Sequence, residues 1–178
     1  MRTFFALEPS AALTVQLADW RDRQLRGAGR AVPPANFHIT LAFMGSLSPA
    51  ALERLGLSVD AWLGRQRQPG SELLLDHVGY WQRPGIYWLG PSRWPDSLSR
   101  LAGKLRQLGS AAGARRDRNA FNPHITLFRN CDLAPPAPAE PPCFTFTYDH
   151  FTLFESRQGR SGVSYHPLEQ WQLLPPDR

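Results

Sequence analysis

Asn36-Phe37-His38-Ile39-Thr40-Leu41 decides the fold, because a near copy follows in the second half of the chain. The copy, Asn122-Pro123-His124-Ile125-Thr126-Leu127, matches it at five of six positions. Upstream and in the same order, Leu89-Gly90-Pro91-Ser92 matches Leu7-Glu8-Pro9-Ser10 at three of four positions. This order indicates a duplicated unit of strand, helix and strand. Two units are too few for a solenoid, so we predict two lobes related by a pseudo-twofold axis.

Hydrophobic spacing around the repeat predicts a succession of strands and helices. The helices are predicted from Glu8-Pro9-Ser10 to about Arg26, from Ser48-Pro49 onward, and from Pro95 to Leu108 with Gly109 as the stop. The strands are predicted over residues 2–7, 37–44, 72–78, 86–89, 123–128, 144–148, 151–155 and 164–173. A loop is predicted around Gly27 and Gly29, and the proline-rich stretch 134–142 is predicted to be an extended surface connection.

The composition favours one domain over residues 1–178, with two lobes that share a core. Hydrophobic residues make up 42% of the 178 and aromatic residues 11%, which is enough for a sizeable core. No run approaches the roughly 20 apolar residues of a membrane span, and the first apolar stretch ends too early for a signal peptide. We therefore expect a cytoplasmic protein with no membrane contact, in which Cys131 and Cys143 are free thiols. The sequence gives no oligomeric state, and a monomer is favoured.

The charge of the chain favours anionic partners. The net charge is +5, and the cationic side chains are 19 arginines and one lysine, Lys104. Arginine forms bidentate contacts with phosphate better than lysine does. A solvated surface is the simpler explanation for most of these arginines. The loop of Arg115, Arg116 and Arg118 could contact an RNA backbone, but a solvated loop is again the simpler interpretation.

The repeated motif places a histidine and a threonine on the same face of each strand. Side chains two positions apart share a face, so His38 lies beside Thr40, and His124 lies beside Thr126. If the lobes are related by a pseudo-twofold axis, these polar pairs face each other across a cleft. The apolar residues of the first strand, Phe37, Ile39, Leu41 and Phe43, are then expected on the opposite face.

Such a cleft suits displacement at the phosphorus of a phosphodiester. One group must deprotonate the attacking oxygen while another protonates the leaving oxygen, and two histidines can hold opposite protonation states near neutral pH. Thr40 and Thr126 can donate hydrogen bonds to the non-bridging oxygens, whose charge grows in the transition state. No carboxylate or cysteine cluster accompanies the motif, so the chemistry demands no metal. The two motifs are too alike to assign acid and base.

These residues resemble the two-histidine (2H) phosphoesterases, most closely the RNA 2′,3′-cyclic phosphodiesterases, also called LigT-like or 2′-5′ RNA ligase-like proteins. The hallmark of that family is two His-x-Thr-x motifs about half a chain apart, here 38–41 and 124–127. The resemblance covers essentially the whole chain. It extends to Phe4-Phe5-Ala6-Leu7, Leu41-Ala42-Phe43-Met44-Gly45, Pro123 and Arg129.

The resemblance implies a fold and an activity. The implied fold is bilobal α+β, with two antiparallel sheets that line a V-shaped cleft and helices outside. The implied activity is hydrolysis of a terminal 2′,3′-cyclic phosphate to a 2′-phosphate, on RNA or a small cyclic nucleotide, without a cofactor. Some relatives also join RNA ends through a 2′-5′ linkage.

The resemblance also implies roles for five residues. His38 would be the proton donor to the leaving 3′-oxygen, and His124 the base that activates water. Thr40, Thr126 and Arg129 would contact the phosphate. Strict alternation from His124 puts Arg129 on the wrong face of its strand, so this arginine needs a β-bulge or the strand end to reach the cleft.

Two other functions stay open. A cleft that binds but does not turn over would make a nucleotide- or RNA-binding module, whose sequence cue would be a missing histidine or threonine; none is missing. A cyclic phosphodiesterase could instead act on a small nucleotide, such as a cyclic ADP-ribose phosphate, or on a 2′-5′ oligonucleotide.

The remaining candidates are histidines and aromatic residues outside the motifs. His77, His150 and His166 are expected to be structural or on the surface. In the aromatic zone of Tyr80, Trp81, Tyr87, Trp88 and Trp94, packing is expected for most rings and stacking on a base for one. Phe5 and Phe128 are candidates for lining the groove.

Overall fold

The computed structural model describes residues 1–26 and 29–176, so the predicted loop position Gly27 lies outside the described residues. The α-helices are α1 (Ala11–Gln24), α2 (Pro49–Arg65) and α3 (Asp96–Ala111). The strands of the first half are β1 (Arg2–Leu7), β2 (Arg30–Ala31), β3 (Ile39–Ser46), β4 (Ser71–Leu75) and β5 (His77–Trp81). The strands of the second half are β6 (Ile86–Gly90), β7 (Ile125–Arg129), β8 (Phe144–Tyr148), β9 (His150–Gly159) and β10 (Gly162–Gln172).

The two copies of the motif meet at the centre of the main sheet. This antiparallel sheet has the order β10-β9-β1-β3-β7-β6-β5, with β2 beside β7, while β4 and β8 form a separate pair. Among the described residues, β3 and β7 are paired at one position, Ile39 opposite Ile125. From this pair the strands of the first lobe (β10-β9-β1-β3) and of the second (β7-β6-β5) run apart. The predicted α+β class and the antiparallel lobes on either side of a cleft are confirmed.

The helices begin where the sequence predicts. The Ser10 hydroxyl accepts a hydrogen bond from the Leu13 N–H at 3.1 Å, which caps α1. Ser48 caps α2 in the same way through the Ala51 N–H at 3.2 Å, with Pro49 at the first helical position. Each helix buries apolar residues in a core that both lobes share. None of the described helices combines the length and the apolar character that a membrane crossing requires.

Two predicted boundaries are wrong. The single strand predicted over residues 72–78 is two strands, β4 and β5, in different sheets. They separate at Asp76, whose carboxylate accepts hydrogen bonds at 2.7 Å from the N–H and the hydroxyl of Ser92. Gly109 does not stop α3, which continues to Ala111. A Cβ at residue 109 would clash with the Met44 sulfur, so this glycine allows α3 to pack closely against β3.

Candidate active site

The five residues proposed to act on a phosphate line one cavity. His38, Thr40, His124, Thr126 and Arg129 all border a cleft of about 960 Å³ between the two lobes. The histidines come from opposite sides of the Ile39–Ile125 pair, so the pseudo-twofold arrangement brings them to opposite flanks of the same space. Residues that lie 86 positions apart in the sequence thereby share one site.

His38 is held in a single tautomer by its own turn. Its Nδ1 lies 2.8 Å from the Asn36 carbonyl, and because a carbonyl only accepts, Nδ1 carries the proton. The Nε2 atom is then free to accept a hydrogen bond from the Thr40 hydroxyl at 2.9 Å. The first motif therefore presents a basic nitrogen and a hydroxyl side by side.

His124 is held in the same way. Its Nδ1 donates to the Asn122 carbonyl at 2.8 Å, so this imidazole also keeps Nε2 available. Asn36 and Asn122 occupy the same place in the repeated hexapeptide. Sequence reasoning quoted both residues in the repeat but missed what their carbonyls do, because a backbone acceptor leaves no signature in residue type.

The surroundings of both imidazoles lower their pKa values. Burial lowers the pKa of His38 to about 4, and the charges of His124 and Arg129 act in the same direction. Burial likewise lowers the pKa of His124, and the charge of Arg129 adds to this. The hydrogen bonds to the asparagine carbonyls oppose these effects. A bound phosphate would offset the charge of Arg129 and favour a proton on one ring.

Arg129 reaches the cleft through a β-bulge in β7. In its pairing with β6, Thr126 lies opposite Trp88 and Phe128 lies opposite Tyr87, so Leu127 is an extra residue. Leu127 and Phe128 are both buried, and the alternation resumes with Arg129 on the face of His124. The bulge that the sequence analysis required for this arginine is therefore present.

The first lobe has a matching bulge, which makes one prediction wrong. Ala42 of β3 lies opposite Phe5 and Thr40 lies opposite Ala6, so Leu41 is the extra residue. Leu41 and Ala42 are both buried, and Phe43 turns out of the core into the cleft. Phe43 was expected beside Ile39 in the core, yet 56% of it is exposed. Simple alternation fails here because a bulge shifts the period by one residue.

Aromatic rings border both histidines. His38 has Phe4 and Tyr165 at ring-centre distances of 5.0 Å each. His124 has Trp81 at 4.7 Å and Trp88 at 6.0 Å. Trp81 lines the cavity, whereas Trp88 is buried. The other rings of the predicted aromatic zone, Tyr80, Tyr87 and Trp94, belong to the core or pack against it.

The two phenylalanines proposed to line the groove do not reach it. Phe5 is fully buried against Phe151 and Trp171, and Phe128 is buried with its ring beside the Arg21 guanidinium. Phe4, the neighbour of Phe5, lines the cleft instead. In a run of apolar residues, no alternation with polar residues shows which side chains face the core. The sequence therefore did not show that Phe4, rather than Phe5, faces the cleft.

The other candidates lie outside the cleft. His77, His150 and His166 do not border the cavity, and neither do the exposed side chains of Arg115, Arg116 and Arg118. Cys131 is buried and Cys143 is exposed, both as free thiols. Within residues 1–26 and 29–176, no three His, Cys, Asp or Glu side chains converge as a metal site would require.

Two histidines that flank one cleft, each in a His-x-Thr strand of a duplicated α+β lobe, define the site of a two-histidine phosphoesterase. Two stretches of the chain, residues 7–88 and 89–165, each match the family described as LigT like Phosphoesterase. The division falls at the start of the second repeat. The chain belongs to this LigT-like phosphoesterase family.

Close relatives span nearly the whole chain. It is 38% identical over 175 residues to the RNA 2′,3′-cyclic phosphodiesterase of Escherichia coli (strain K12), which covers 97% of this chain and 96% of that protein. The crystal structure of E. coli LigT complexed with 3′-AMP has 37% identity, a TM-score of 0.86 and coverage of 97% of both chains. A phosphoesterase crystal structure has 38% identity, a TM-score of 0.89 and coverage of 97% and 98%.

Proposed function

We propose that the protein is a phosphoric diester hydrolase that opens the 2′,3′-cyclic phosphate at an RNA end, or of a small cyclic nucleotide, to a 2′-phosphate. One observation carries this proposal: two imidazoles that hold their proton on Nδ1 and have an unprotonated Nε2 border a single cleft from opposite lobes. The activity of the E. coli relative, which aligns over nearly its full length, supports the same reaction.

In the proposed reaction, water attacks phosphorus while His124 Nε2 takes its proton. The bond from phosphorus to the 3′-oxygen breaks, and His38 Nε2–H gives a proton to that oxygen, which leaves a 2′-phosphomonoester. The Asn36 and Asn122 carbonyls accept the Nδ1–H groups and so stabilise whichever ring is charged. Thr40, Thr126 and Arg129 bind the non-bridging oxygens, where negative charge grows.

His38 takes up its proton from solvent when the anionic substrate binds. Because the pKa of His38 is about 4, the ring needs an anion beside it to hold a proton at pH 7. The phosphodiester charge raises that pKa and loads the proton. When the leaving oxygen takes this proton, the buried ring returns to its favoured neutral form.

The test is turnover of 2′,3′-cyclic AMP in the presence of EDTA, with chromatography to separate 2′-AMP from 3′-AMP. His38→Ala and His124→Ala should each lower kcat by about 10²- to 10⁴-fold, since each removes one partner of the acid–base pair. His150→Ala, outside the cavity and next to Asp149, is the matched control and should keep full activity. Full turnover by both cleft variants would refute the proposal.

A binding module and a 2′-5′ ligase predict different results in the same assay. A binding module would hold the cyclic nucleotide tightly and release no product. A 2′-5′ ligase would use a ribose 5′-hydroxyl in place of water. His124 would deprotonate this hydroxyl and His38 would again protonate the leaving 3′-oxygen, which leaves a 2′-5′ phosphodiester and a 3′-hydroxyl. The test for ligation is incubation of an RNA with a 2′,3′-cyclic phosphate end and a second RNA with a free 5′-hydroxyl.

We further propose that residues 1–178 act as one domain, as a monomer in the cytoplasm. The shared core supports the first statement, because apolar residues of both lobes form one connected cluster. The cleft is lined by residues of this one chain, so the proposed site needs no second copy. Sedimentation equilibrium on the full chain would measure the oligomeric state.

A further inference from the structure

Two further arginines border the cleft near Arg129. Arg30 of β2 lies directly opposite Arg129 of β7, and residues opposite each other in an antiparallel pair hold their side chains on the same face. Both arginines border the cavity, and so does Arg83, in the turn between β5 and β6. Three cations from three separate elements therefore border the same space.

The chain packs closely around the end of β7. A Cβ on Gly29 would clash with the Arg129 carbonyl oxygen. A Cβ on Gly85 would clash with the Cys131 carbonyl oxygen, and the Cys131 N–H donates to the Gly85 carbonyl at 2.9 Å. The start of β2 and the turn between β5 and β6 are thereby held against the end of β7, together with the arginines they carry.

A buried arginine fixes β2 from the core side. The Arg21 guanidinium, only 3% exposed, donates to the carbonyls of Val32 and Leu127. The Val32 N–H donates to the same Leu127 carbonyl at 2.9 Å. Leu127 is also the extra residue of the β-bulge that turns Arg129 into the cleft. The backbone positions of Arg30 and Arg129 are therefore set by the fold and need no ligand.

These arginines lack a counter-charge within the chain. Like charges directly opposite each other on adjacent strands are destabilising. Among the residues that the structure describes, no acidic side chain forms an ion pair with Arg30, Arg83 or Arg129. Arg106, which also borders the cavity, is instead paired with Asp117 at 3.6 Å. The three unpaired cations are thus available to an anion that enters the cleft.

The arginines extend beyond the reacting phosphate. The charge of Arg129 lowers the pKa of both His38 and His124, whereas the charges of Arg30 and Arg83 lower neither. Arg129 is therefore the one that faces the reacting phosphate, and the other two lie further from the imidazoles. The cleft, at about 960 Å³, is at the upper end of the range for small-molecule sites, so it has room for more than one phosphate.

We propose that Arg30 and Arg83 bind a second phosphate of the substrate, the one on the 5′-oxygen of the nucleotide that ends in the cyclic phosphate. This inference rests on the proposed function, which places the cyclic phosphate between the two histidines. In an RNA, the next anion along the chain is the phosphodiester on that 5′-oxygen, one ribose away. In a mononucleotide, the same oxygen can carry a 5′-phosphate.

The chemistry of the two arginines defines what the site selects. A guanidinium binds two oxygens of one phosphate in a bidentate contact, and a phosphate contact makes no distinction among bases. The site should therefore select RNA ends and 5′-phosphorylated nucleotides over nucleosides that carry only the cyclic phosphate. Because this selection rests on charge, it should decline as the salt concentration rises.

The test compares three substrates that share one kind of cyclic phosphate. They are 2′,3′-cyclic AMP, the same nucleotide with an added 5′-phosphate, and the dinucleotide ApA with a 2′,3′-cyclic phosphate end. Arg30→Gln and Arg83→Gln should each raise KM about tenfold for the two substrates that carry the second phosphate, as expected for the loss of a hydrogen bond between charged groups. Both variants should change KM for 2′,3′-cyclic AMP far less, and kcat should stay the same on all three substrates.

The two probes with a second phosphate also distinguish its source. A loss confined to the dinucleotide would identify an RNA phosphodiester as the ligand, and a loss confined to the 5′-phosphorylated nucleotide would identify a free nucleotide. A loss on both would show that the site accepts either source. Each of these results supports the proposal.

Arg54→Gln is the control for loss of a positive charge, since Arg54 is exposed on α2 and does not border the cavity. It should leave all three KM values unchanged. Equal changes in Arg30→Gln and Arg83→Gln on all three substrates, or no change on any, would overturn the proposal. A loss of the selection in Arg2→Gln alone would overturn it as well, because Arg2 borders the cleft from β1 in the first lobe. If the wild-type protein turns over none of the three substrates, the proposed function itself fails, so the two failures are distinguishable.

Discussion

The two lobes hold the same histidine motif in different surroundings. In the first lobe the β9–β10 hairpin extends the sheet beyond β1, and its Tyr165 meets the His38 ring edge-on at 5.0 Å. The same hairpin accepts a hydrogen bond from the Asn36 side chain, through the Val163 carbonyl, at 2.9 Å. In the second lobe, within the part of the chain that the structure describes, the sheet ends at β5. The two motif strands are thus alike, but the additional strand β10 gives His38 different surroundings from those of His124.

This inequality matters because an acid and a base must hold opposite protonation states. Two identical imidazoles in one cleft would titrate as a coupled pair, with the proton shared between them. Burial brings the pKa of His38 to about 4, and Tyr165 of the hairpin is one of the two rings that border it. The two histidines therefore differ through the surroundings of the repeated motif and not through the motif itself. Three predictions address this difference between the lobes.

The largest effect should come from replacing each histidine and comparing a substrate whose leaving group needs an acid with one whose leaving group does not. In bis(p-nitrophenyl) phosphate the leaving p-nitrophenolate needs no proton, so an acid is dispensable and a base is not. We expect His38→Asn to lose about 10²- to 10⁴-fold in kcat on 2′,3′-cyclic AMP but far less on the nitrophenyl ester. His124→Asn should lose activity on both substrates. Release of p-nitrophenolate, followed by its absorbance, measures the second reaction.

If His124→Asn alone keeps its activity on the nitrophenyl ester, then His124 is the acid and His38 is the base. Equal losses on both substrates for both variants would mean that the pair acts in some way other than as one acid and one base. The double variant should be little worse than either single variant, because residues that act as a unit lose their effect together.

A smaller effect is expected from Arg129, which faces both histidines. Arg129→Gln should raise KM for 2′,3′-cyclic AMP by about 10- to 100-fold, since a hydrogen bond to a charged group contributes about 1.5–3 kcal/mol. It should also shift the pH–rate profile to higher pH, because the charge of Arg129 lowers the pKa of both His38 and His124. Steady-state kinetics across the pH range measure both changes.

Arg118→Gln is the matched control for charge, as this arginine is exposed and does not border the cavity. It should change neither KM nor the profile. An Arg129→Gln profile identical to that of the wild type would mean that the arginine does not act on the histidines, whatever its effect on KM.

Sequence reasoning reached the site through the repeat and missed what depends on distant partners. The repeated hexapeptide was enough to predict the two lobes and the shared cleft, because it combines a strand period with unusual polar residues. It did not locate Phe43 in the cleft, since the bulge at Leu41 arises from pairing with β1. Nor did it connect Tyr165 with His38, because that contact joins residues far apart in sequence. Asp76 likewise divides a predicted strand through its bonds to Ser92, a partner that no local pattern indicates.

The subtlest effect tests why the two imidazoles differ. Burial is the main cause of the low pKa of His38, and Tyr165 is one of the two rings that border it. Tyr165→Ala should therefore raise the pKa of His38 towards its ordinary value of 6.5 and leave that of His124 nearly unchanged. An NMR titration of the imidazole Cε1–H signals measures both, and Tyr165→Phe, which keeps the ring, is the control.

The same variant should change how acid affects folding. The pKa of His38 is lower in the folded protein than the ordinary value of 6.5 that an unfolded chain would show. As the pH falls through 6.5 towards 4, the unfolded chain takes up this proton first, and the wild-type protein loses stability. Because Tyr165→Ala raises the pKa of His38 in the folded protein, this variant should lose less stability between pH 6.5 and 4 than the wild type does. The midpoint of denaturant unfolding at each pH measures this loss. If Tyr165→Ala changes neither the pKa of His38 nor the pH dependence of stability, the hairpin is not the cause of the difference between the two histidines. The charges in the cleft would then be the cause.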